Sequence, residues 1–240
     1  MHDRSGGVGG RVFAMLSWLP ENVSTFGGQI DRLFYVIYYL TTATFFAVQI
    51  TLLVFVFIYR DRPGRRATYT HGNTTLEIIW TAVPAVILAI LALVSRSTWA
   101  EIKEYQPPSD YEIRISGKQF NWEIAYPGPD GKLGTDDDVT MDNDFHVPVN
   151  KVVRVQLQSK DVIHSFFVPQ FRLKQDAVPG RSIPVWFKAT KAGKYEVPCA
   201  ELCGFGHSGM RGFVYVDTPE EYDAWARQKG VGHAGTAGQG

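Results

Sequence analysis

Apolar residues are concentrated in the first hundred positions of this chain, in two long runs. Residues 33–59, LFYVIYYLTTATFFAVQITLLVFVFIY, contain no charged residue. A helix of this length measures roughly 40 Å at 1.5 Å per residue, which is enough to cross a hydrocarbon core of about 30 Å. A second uncharged run covers residues 78–94, and its flanks extend it to a span at 77–97. The pattern predicts a two-helix transmembrane hairpin at residues 31–100, inserted in a lipid bilayer.

The second run has features of a membrane helix rather than of a buried helix in a soluble protein. Trp80 and Trp99 lie near its ends, where amphipathic rings favour the membrane interface. Pro84 predicts a kink, which helices in a bilayer tolerate. Length and absence of charge make two buried soluble helices the weaker alternative.

The link between the two runs is basic and sets the expected orientation. It carries Arg60, Arg62, Arg65 and Arg66 against one acid, Asp61. Arginine in a short loop marks the cytoplasmic side of a membrane. We therefore expect a multi-pass protein of a bacterial inner (plasma) membrane, with both termini and the polar domain on the periplasmic side.

The N-terminal segment 1–30 is expected to be extracytoplasmic. Its apolar stretch at 12–19, VFAMLSWL, lacks a small-residue cleavage site. An interfacial helix is therefore favoured over a cleaved signal peptide.

After a linker at 101–110 the chain reads as β structure, and residues 111–217 form the predicted polar domain. Apolar and polar residues alternate along Val152–Gln158, the period of a half-buried strand. Several short strands separated by Pro-Gly turns predict a β-sandwich or small barrel. Residues 218–240 are expected to form a closing helix at Pro219–Lys229, capped by Thr218, and a flexible glycine-rich tail. The strand candidates are Tyr111–Ile115, Asn121–Tyr126, Val152–Gln158, Ile183–Phe187, Tyr195–Val197 and Gly212–Val216.

Composition narrows the class of protein. The chain has 24 Lys and Arg against 24 Asp and Glu, so its formal net charge is zero. That balance gives no support to a basic nucleic-acid-binding protein, and we expect no nucleic-acid partner. Only two cysteines occur, Cys199 and Cys203, which excludes a disulfide-dense scaffold and a C-x-x-C-H haem attachment.

The strongest chemical signal is CAELCGFGHSGM at residues 199–210. It places two thiols, the imidazole of His207 and the thioether of Met210 within twelve residues. Soft sulfur and nitrogen donors suit copper, with methionine as a weak ligand. Two thiolates can bridge two copper ions if each ion has its own imidazole, and His164 in DVIHSFFVP is the best second histidine. His71 lies on the wrong side of the predicted membrane.

Other interpretations of this motif remain open from the residues alone. A disulfide between the two cysteines is compatible with an oxidising compartment, although it leaves His207 and Met210 unexplained. Structural zinc takes four Cys or His ligands and does not use the methionine. A thioredoxin-type copper-delivery protein also has C-x-x-x-C and a distant histidine, but it needs neither Glu77 nor a second span.

The motif, together with DVIHSFFVPQFRLKQDAVPGR upstream, resembles subunit II of haem–copper cytochrome c oxidases. The resemblance extends from about Asp31 to Asp217 and includes TTLEIIWTAVPAVI. It implies a cupredoxin-like Greek-key barrel with a binuclear copper centre, CuA. Cys199 and Cys203 would bridge the coppers and His164 and His207 would be terminal ligands. The weak ligands would be Met210 and the carbonyl of Glu201, whose carboxylate would also bind a Mg²⁺ shared with subunit I.

The resemblance implies an electron relay within an oxidase. The subunit would accept electrons from cytochrome c, or from a membrane-bound c-type cytochrome, and pass them to the haem of subunit I, where oxygen is reduced to water and protons are pumped. Partners would be subunit I and subunit III. A quinol oxidase subunit lacks the copper ligands, and the CuA domain of nitrous oxide reductase belongs to a longer soluble chain.

Three further groups of residues carry expectations. By resemblance, Glu77 guards the K proton channel, although it could also simply cap its helix. The family's aromatic run Q-W-x-W is Gln119-Phe120-Asn121-Trp122 here, so Phe120 would receive the electron and Trp122 would lie inside; the alternative is a pair of ordinary strand aromatics on one face. The spacing of the acidic insert PGPDGKLGTDDD at 127–138 does not match a calcium-binding loop, so a solvated turn is favoured. Alternatively, its negative charge could steer a basic electron donor.

Overall fold

The computed structural model describes residues 19–232, and its first large elements are two apolar helices. Helix α1 covers Gly27–Ile58 and helix α2 covers Thr74–Trp99, with a π-helical turn at Ala100–Glu104 continuing α2 into the expected linker. Both are long and apolar enough to cross a membrane. The predicted fold class, two apolar helices followed by an all-β domain, is confirmed.

Each helix begins earlier than its uncharged run. The hydroxyl of Ser24 accepts a hydrogen bond from Gly27 N (3.1 Å) at the start of α1. The side chain of Asn73 accepts one from Leu76 N (3.2 Å) and caps α2. These side chains satisfy backbone N–H groups of the first helical turn. Each helix can therefore begin among polar residues, before its uncharged run starts. Large apolar side chains along both helices are exposed in the isolated chain and therefore need a cover of lipid or of another apolar protein surface.

Within residues 19–232 the β domain has ten strands, which pair out of chain order. One sheet has the order β3-β2-β1-β5-β8, a second has β4-β10-β9, and β6 pairs with β7. Strand β1 runs parallel to β5, and β4 runs parallel to β10. Such pairs need connections that cross between sheets, as the Greek-key prediction requires. The strands are β1 Tyr111–Lys118, β2 Asn121–Tyr126, β3 Val139–Asp142, β4 Asp144–Pro148, β5 Val152–Ser159, β6 His164–Val168, β7 Leu173–Ala177, β8 Ile183–Lys188, β9 Gly193–Pro198 and β10 Arg211–Asp217.

The N-terminal residues 20–26 belong to the β domain, although they precede both helices. Val23 N donates to Gln170 O (2.9 Å), and Thr190 N donates to Val23 O (2.9 Å). The ring of Phe26 packs edge-on against Trp186, with centroids 5.3 Å apart. The segment is thus held by backbone hydrogen bonds and by burial of Val23 and Phe26. The apolar stretch at 12–19 lies outside the described residues except for Leu19.

The C-terminal helix α3, Pro219–Lys229, closes the domain at the end of β10. Thr218 and Glu221 form a reciprocal capping box, as the predicted Thr218 cap suggested. Gly230 ends the helix with φ 74°, a left-handed conformation that favours glycine. The next residues are packed: Val231 is buried and Gly232 N donates to Pro127 O (2.9 Å). The predicted flexible tail therefore cannot begin before residue 233, and the rest lies outside the described residues.

The acidic insert is a turn organised by its own carboxylates. Asp137 accepts from Asp130 N (3.1 Å) and from the Thr135 hydroxyl (2.6 Å). Asp138 accepts from Gly134 N and forms an ion pair with Arg114 (3.5 Å). Hydrogen bonds from Thr135 and Asp130 hold the pKa of Asp137 below its usual range. The insert follows Tyr126, at the end of β2 away from Trp122.

Candidate metal centre

Two loops of the β domain meet where β6 begins. Phe166 in β6 forms an antiparallel bridge with Cys199, just after β9. Ala200 N donates to Ser165 O (3.0 Å), and Cys199 N donates to Met210 O (3.0 Å). The backbone thereby closes the β9–β10 loop and sets it against the first residue of β6, His164. Residues 199–210 are thus brought next to His164, which lies 35 positions before Cys199 in the chain.

The candidate ligands form a continuous chain of short contacts. His164 Nδ1 lies 3.9 Å from Cys199 Sγ, and the two sulfur atoms of Cys199 and Cys203 are 3.9 Å apart. Cys203 Sγ is 3.6 Å from His207 Nδ1 and 3.7 Å from Met210 Sδ. The carbonyl oxygen of Glu201 lies 3.2 Å from Cys199 Sγ. One imidazole therefore stands at each end of a central pair of thiols.

These separations fit metal coordination. Two donors about 2.3 Å from one ion at a tetrahedral angle lie roughly 3.8 Å apart. A disulfide needs sulfurs about 2.05 Å apart, and both cysteines are free thiols. Burial and the adjacent Cys199 raise the pKa of Cys203 to about 11, so the Cys203 thiol stays protonated at neutral pH unless a cation lies beside it. The donor set of sulfur, imidazole and thioether suits copper better than zinc.

The carboxylate of Asp161 orients the ring of His164 through the ring nitrogen that does not face the thiols. The ring is fully buried, and its Nε2 lies 2.7 Å from Asp161 Oδ1. A ligating Nδ1 must be unprotonated, so Nε2 carries the proton and donates it to the carboxylate. Burial raises the pKa of Asp161, but hydrogen bonds from His164, Gln119 N and Val162 N outweigh it and hold that pKa below its usual range. Asp161 is therefore a carboxylate that fixes the tautomer of His164.

A glycine makes room for this ring. A Cβ on Gly117 of β1 would lie 2.7 Å from Cδ2 of His164, closer than side-chain carbons approach. Glycine is needed at position 117 because a larger residue would collide with the His164 ring, and not because of its backbone freedom.

The turn between β1 and β2 packs on the β9–β10 loop, which carries the candidate ligands. Gln119 Nε2 donates to Cys203 O (2.6 Å), and Gln119 N donates to Asp161 Oδ2 (2.7 Å). Positions for a Cβ on Gly204 and Gly206 fall 3.2 Å and 2.5 Å from ring atoms of Phe120. The Phe120 ring therefore rests on the backbone between Cys203 and His207. Since Phe120 precedes β2, the interpretation of it as a strand aromatic sharing a face with Trp122 is wrong.

Trp122 lies deeper in the β domain than Phe120. It is buried, with ring centroids 6.0 Å from His164 and 5.7 Å from Phe166. Its indole Nε1 is buried without a hydrogen-bond partner among the described residues. The inner position expected for Trp122 is where the structure places it, directly against a candidate ligand.

The remaining predicted site residues have simpler surroundings. The side chain of Glu201 is exposed, while its carbonyl faces the thiols. Glu77 is exposed in the first turn of α2, and its N–H donates to Asn73 O (3.0 Å). That position is compatible with both expectations for Glu77.

Sequence reasoning missed the residues that support the ligands. Asp161 lies three positions before His164, a spacing that could have been noticed. Gln119 and Gly117 carry no local signal, because their role arises only when β1 and the 199–210 loop are brought together.

Comparisons with known proteins identify the family. Residues 112–216 match the family model for the cytochrome c oxidase subunit II periplasmic domain, and residues 15–97 match that for the subunit II transmembrane domain. Cytochrome c oxidase subunit 2 of Thermostichus vulcanus is 34% identical, over 88% of this chain and 78% of the relative. The alternative cytochrome c oxidase subunit 2 of Bradyrhizobium diazoefficiens is 33% identical, over 92% and 88%.

A solved structure is also similar to part of the chain. The periplasmic domain of subunit II of cytochrome oxidase from Bradyrhizobium japonicum is 38% identical and covers 51% of this chain and 95% of its own, with a TM-score of 0.46. The two family models together with relatives matched over most of their length establish the assignment. The chain belongs to the cytochrome c oxidase subunit II family.

Proposed function

We propose that this oxidase subunit is an electron relay built on a binuclear copper centre. The observation that carries the proposal is the sequence of donors His164, Cys199, Cys203 and His207, with two buried thiols between two imidazoles. Cys199 and Cys203 would bridge the coppers, each histidine would bind one of them, and Met210 and the Glu201 carbonyl would be weak ligands. Copper in such a site supplies a one-electron carrier.

The protein's contribution is a fixed, dry set of ligands. Cys199, Cys203 and Met210 are buried, and the Cys199–Met210 backbone hydrogen bond holds the ends of the loop together. Asp161 fixes the tautomer of His164, and Gln119 ties the loop to the β1–β2 turn. Ligands held in this way change position little between redox states, which favours rapid electron transfer.

An electron relay needs a donor and an acceptor. The chain would accept electrons from a cytochrome c, soluble or membrane-bound, and pass them to the haem of subunit I, where oxygen is reduced to water and protons are pumped. Subunit III would complete the complex. The exposed carboxylate of Glu201 would hold a Mg²⁺ together with subunit I. The two helices would cross a bacterial inner membrane, leaving the copper domain in the periplasm.

The copper assignment is tested on the full chain in detergent, without subunit I and its haems. Elemental analysis should find two coppers per chain, and electron paramagnetic resonance should show one unpaired electron shared by both. One copper per chain with a single-copper signal would contradict the proposal. The control is His71→Ala, which removes an exposed imidazole of the 59–73 loop and should leave the signal unchanged.

Phe120→Ala should slow electron transfer from the donor while leaving the copper spectrum intact. The ring rests on the loop backbone beside Cys203 and is 38% exposed, so it offers a short contact from the surface to a bridging ligand. The rate is measured by stopped-flow mixing of the whole oxidase with reduced cytochrome c. Tyr69→Ala, a change at an exposed aromatic of the 59–73 loop, is the matched control. A wild-type rate for Phe120→Ala would mean that electrons enter elsewhere.

Glu77→Gln should slow turnover at saturating donor if Glu77 takes part in proton uptake. The change removes the charge and keeps the shape, and as a helix-terminal charge Glu77 would contribute only about 0.3–1 kcal/mol to stability. We expect turnover of the whole oxidase to fall several-fold with copper and haem contents unchanged. Unaltered turnover combined with a lower melting temperature would assign Glu77 to helix capping alone.

A further inference from the structure

The 59–73 loop between the two apolar helices begins with a defined turn. Arg65 N donates to Arg62 O (3.1 Å), and Pro63 and Gly64 are the central residues of the turn. Gly64 has φ 80°, a left-handed conformation that the third position of a type II turn requires and that favours glycine. Arg62 and Arg65 are therefore held at the two ends of one tight turn.

The side chain of Arg65 fastens this turn to the end of α1. Its Nη1 donates to the carbonyl oxygen of Ile58 (2.8 Å), the last residue of α1. Its guanidinium carbon also lies 5.8 Å from the ring centroid of Tyr59. The hydrogen bond gives a partner to a carbonyl that the helix leaves unpaired, and it places a cation at the negative end of the helix dipole. The turn thus has a fixed position relative to the end of α1.

The loop surrounds a cavity that is rich in hydrogen-bond donors. Its volume is about 540 Å³, within the range of roughly 300–1,000 Å³ for small-molecule sites. Thr68 and Thr70 contribute to the lining together with one acid, Asp61. The lining also includes all four arginines of the loop, Arg60, Arg62, Arg65 and Arg66. A ligand in this cavity would therefore meet mainly positive groups.

The positive charge of the loop is not compensated by neighbouring residues. Within residues 19–232, the guanidinium groups of Arg60, Arg62 and Arg66 form neither an ion pair nor a side-chain hydrogen bond. Arg65 donates to a neutral carbonyl, so its charge is also unbalanced. Since the loop has four arginines and a single acid, it is strongly basic. The cavity is therefore suited to an anion.

Guanidinium groups favour one class of anion. Lysine would orient a membrane protein equally well by its charge, and this chain contains lysine from Lys103 onward but none in the loop. Arginine differs because its planar fork donates two parallel hydrogen bonds to phosphate oxygens, whereas lysine acts as a point charge. The hydroxyls of Thr68 and Thr70 are further donors for such oxygens. The donor set thus matches a phosphate group.

The loop also lies where phosphate groups are abundant. The uncharged run of α1 ends at Tyr59, an exposed aromatic residue of the kind that marks a membrane interface. The arginines follow directly, so they lie at the level of the lipid headgroups when α1 crosses a bilayer. Clusters of basic residues next to the cytoplasmic end of a transmembrane helix attract anionic lipids. A lipid phosphate can therefore reach the cavity without leaving the membrane surface.

We propose that the 59–73 loop is a binding site for an anionic phosphate group. Arg60, Arg62 and Arg66 bind the phosphate oxygens, and Arg65 positions the turn. The phosphate is that of an anionic phospholipid headgroup or a free phosphate ion, which share this chemistry. Access to lipid depends on the proposed insertion of the helices into a membrane, and the site is independent of the copper centre.

The test measures the lipid retained by the full chain in a neutral detergent, without subunit I. The chain is equilibrated with equal amounts of phosphatidylglycerol and phosphatidylcholine, washed, and analysed for bound lipid by mass spectrometry. We expect the wild type to prefer phosphatidylglycerol by at least about fivefold, the effect of one arginine near an anionic membrane surface. The combined change Arg60→Gln, Arg62→Gln and Arg66→Gln should abolish this preference. Arg227→Gln, at an exposed arginine of α3, is the matched control and should keep it.

A second triple variant and a competition experiment define the chemistry. Replacing the same three arginines by lysine keeps the charge and removes the guanidinium fork, so we expect the preference to fall by at least about twofold. Inorganic phosphate is then added in excess and compared with chloride at the same ionic strength. Retention of phosphatidylglycerol in its presence identifies the lipid headgroup as the ligand, and displacement identifies free phosphate.

Three results would overturn the proposal. The first is equal retention of the two lipids by the wild type. The second is an unchanged preference in the triple lysine variant, which would show attraction by charge alone. The third is an unchanged preference in the triple glutamine variant; loss of subunit I from the oxidase carrying those changes would then assign the arginines to a protein interface. The electron relay is tested separately by the two-copper signal, which the glutamine changes should leave intact.

Discussion

Cys199→Ser is expected to lose the binuclear copper site and to reduce electron transfer more than about 100-fold. Cys199 Sγ is the atom that contacts both the His164 end and the Cys203 end of the donor chain. A hydroxyl is a poor ligand for copper, and even residues that only support ligands contribute 10- to 100-fold. Copper per chain, measured by elemental analysis, should fall from two to one or none.

The matched control for this change is Met210→Leu. It removes a weak ligand but keeps a buried apolar side chain of similar volume, so both coppers should remain with a shifted spectrum. Circular dichroism of the copper-free Cys199→Ser protein should match that of the copper-free wild type. Two coppers with an unchanged spectrum in Cys199→Ser would contradict the ligand assignment.

Trp122→Ala is expected to lower the free energy of unfolding of the β domain by about 3–5 kcal/mol, the range for deleting a large buried aromatic side chain. The indole fills the space between His164 and Phe166, so its loss leaves a cavity beside a candidate ligand. Copper should consequently dissociate more readily. Chemical denaturation followed by circular dichroism measures the first effect, and competition with a copper chelator measures the second.

Trp122→Phe distinguishes packing from a specific role of the indole. Nε1 has no hydrogen-bond partner in the described residues, so Phe removes an unsatisfied buried donor while keeping most of the volume. We expect a stability change well below that of Trp122→Ala and nearly normal electron transfer. If Trp122→Phe were stable but transferred electrons as poorly as Trp122→Ala, the indole itself would be part of the electron path.

The fold could be predicted where the sequence pattern was regular. Charge-free runs predicted both helices, and alternation along Val152–Gln158 predicted β5. Strands β3, β4, β6 and β7 were not among the predicted strands. In β3 and β7 the reason is visible, because VTMD and LKQDA mix exposed polar positions with few apolar ones. The start of α1 was placed late because Asp31 and Arg32 interrupt the apolar pattern without interrupting the helix.

The candidate ligands were within reach of sequence reasoning, since most lie in one twelve-residue loop. Their support was not. Asp161, Gln119 and Gly117 act through contacts between segments far apart in the chain, and each residue type is ordinary in a turn or strand.

The hydrogen bonds of residues 20–26 have a consequence for insertion into the membrane. These residues precede both apolar helices, whereas Gln170, Lys188 and Thr190, which they contact, follow both. A bilayer cannot separate two segments that share backbone hydrogen bonds, so a chain whose two helices cross the membrane, as proposed above, must return to the side from which it started. Insertion of only one helix would strip this segment from the domain and leave an uncovered sheet edge. Correct topology and completion of the β domain are therefore a single event.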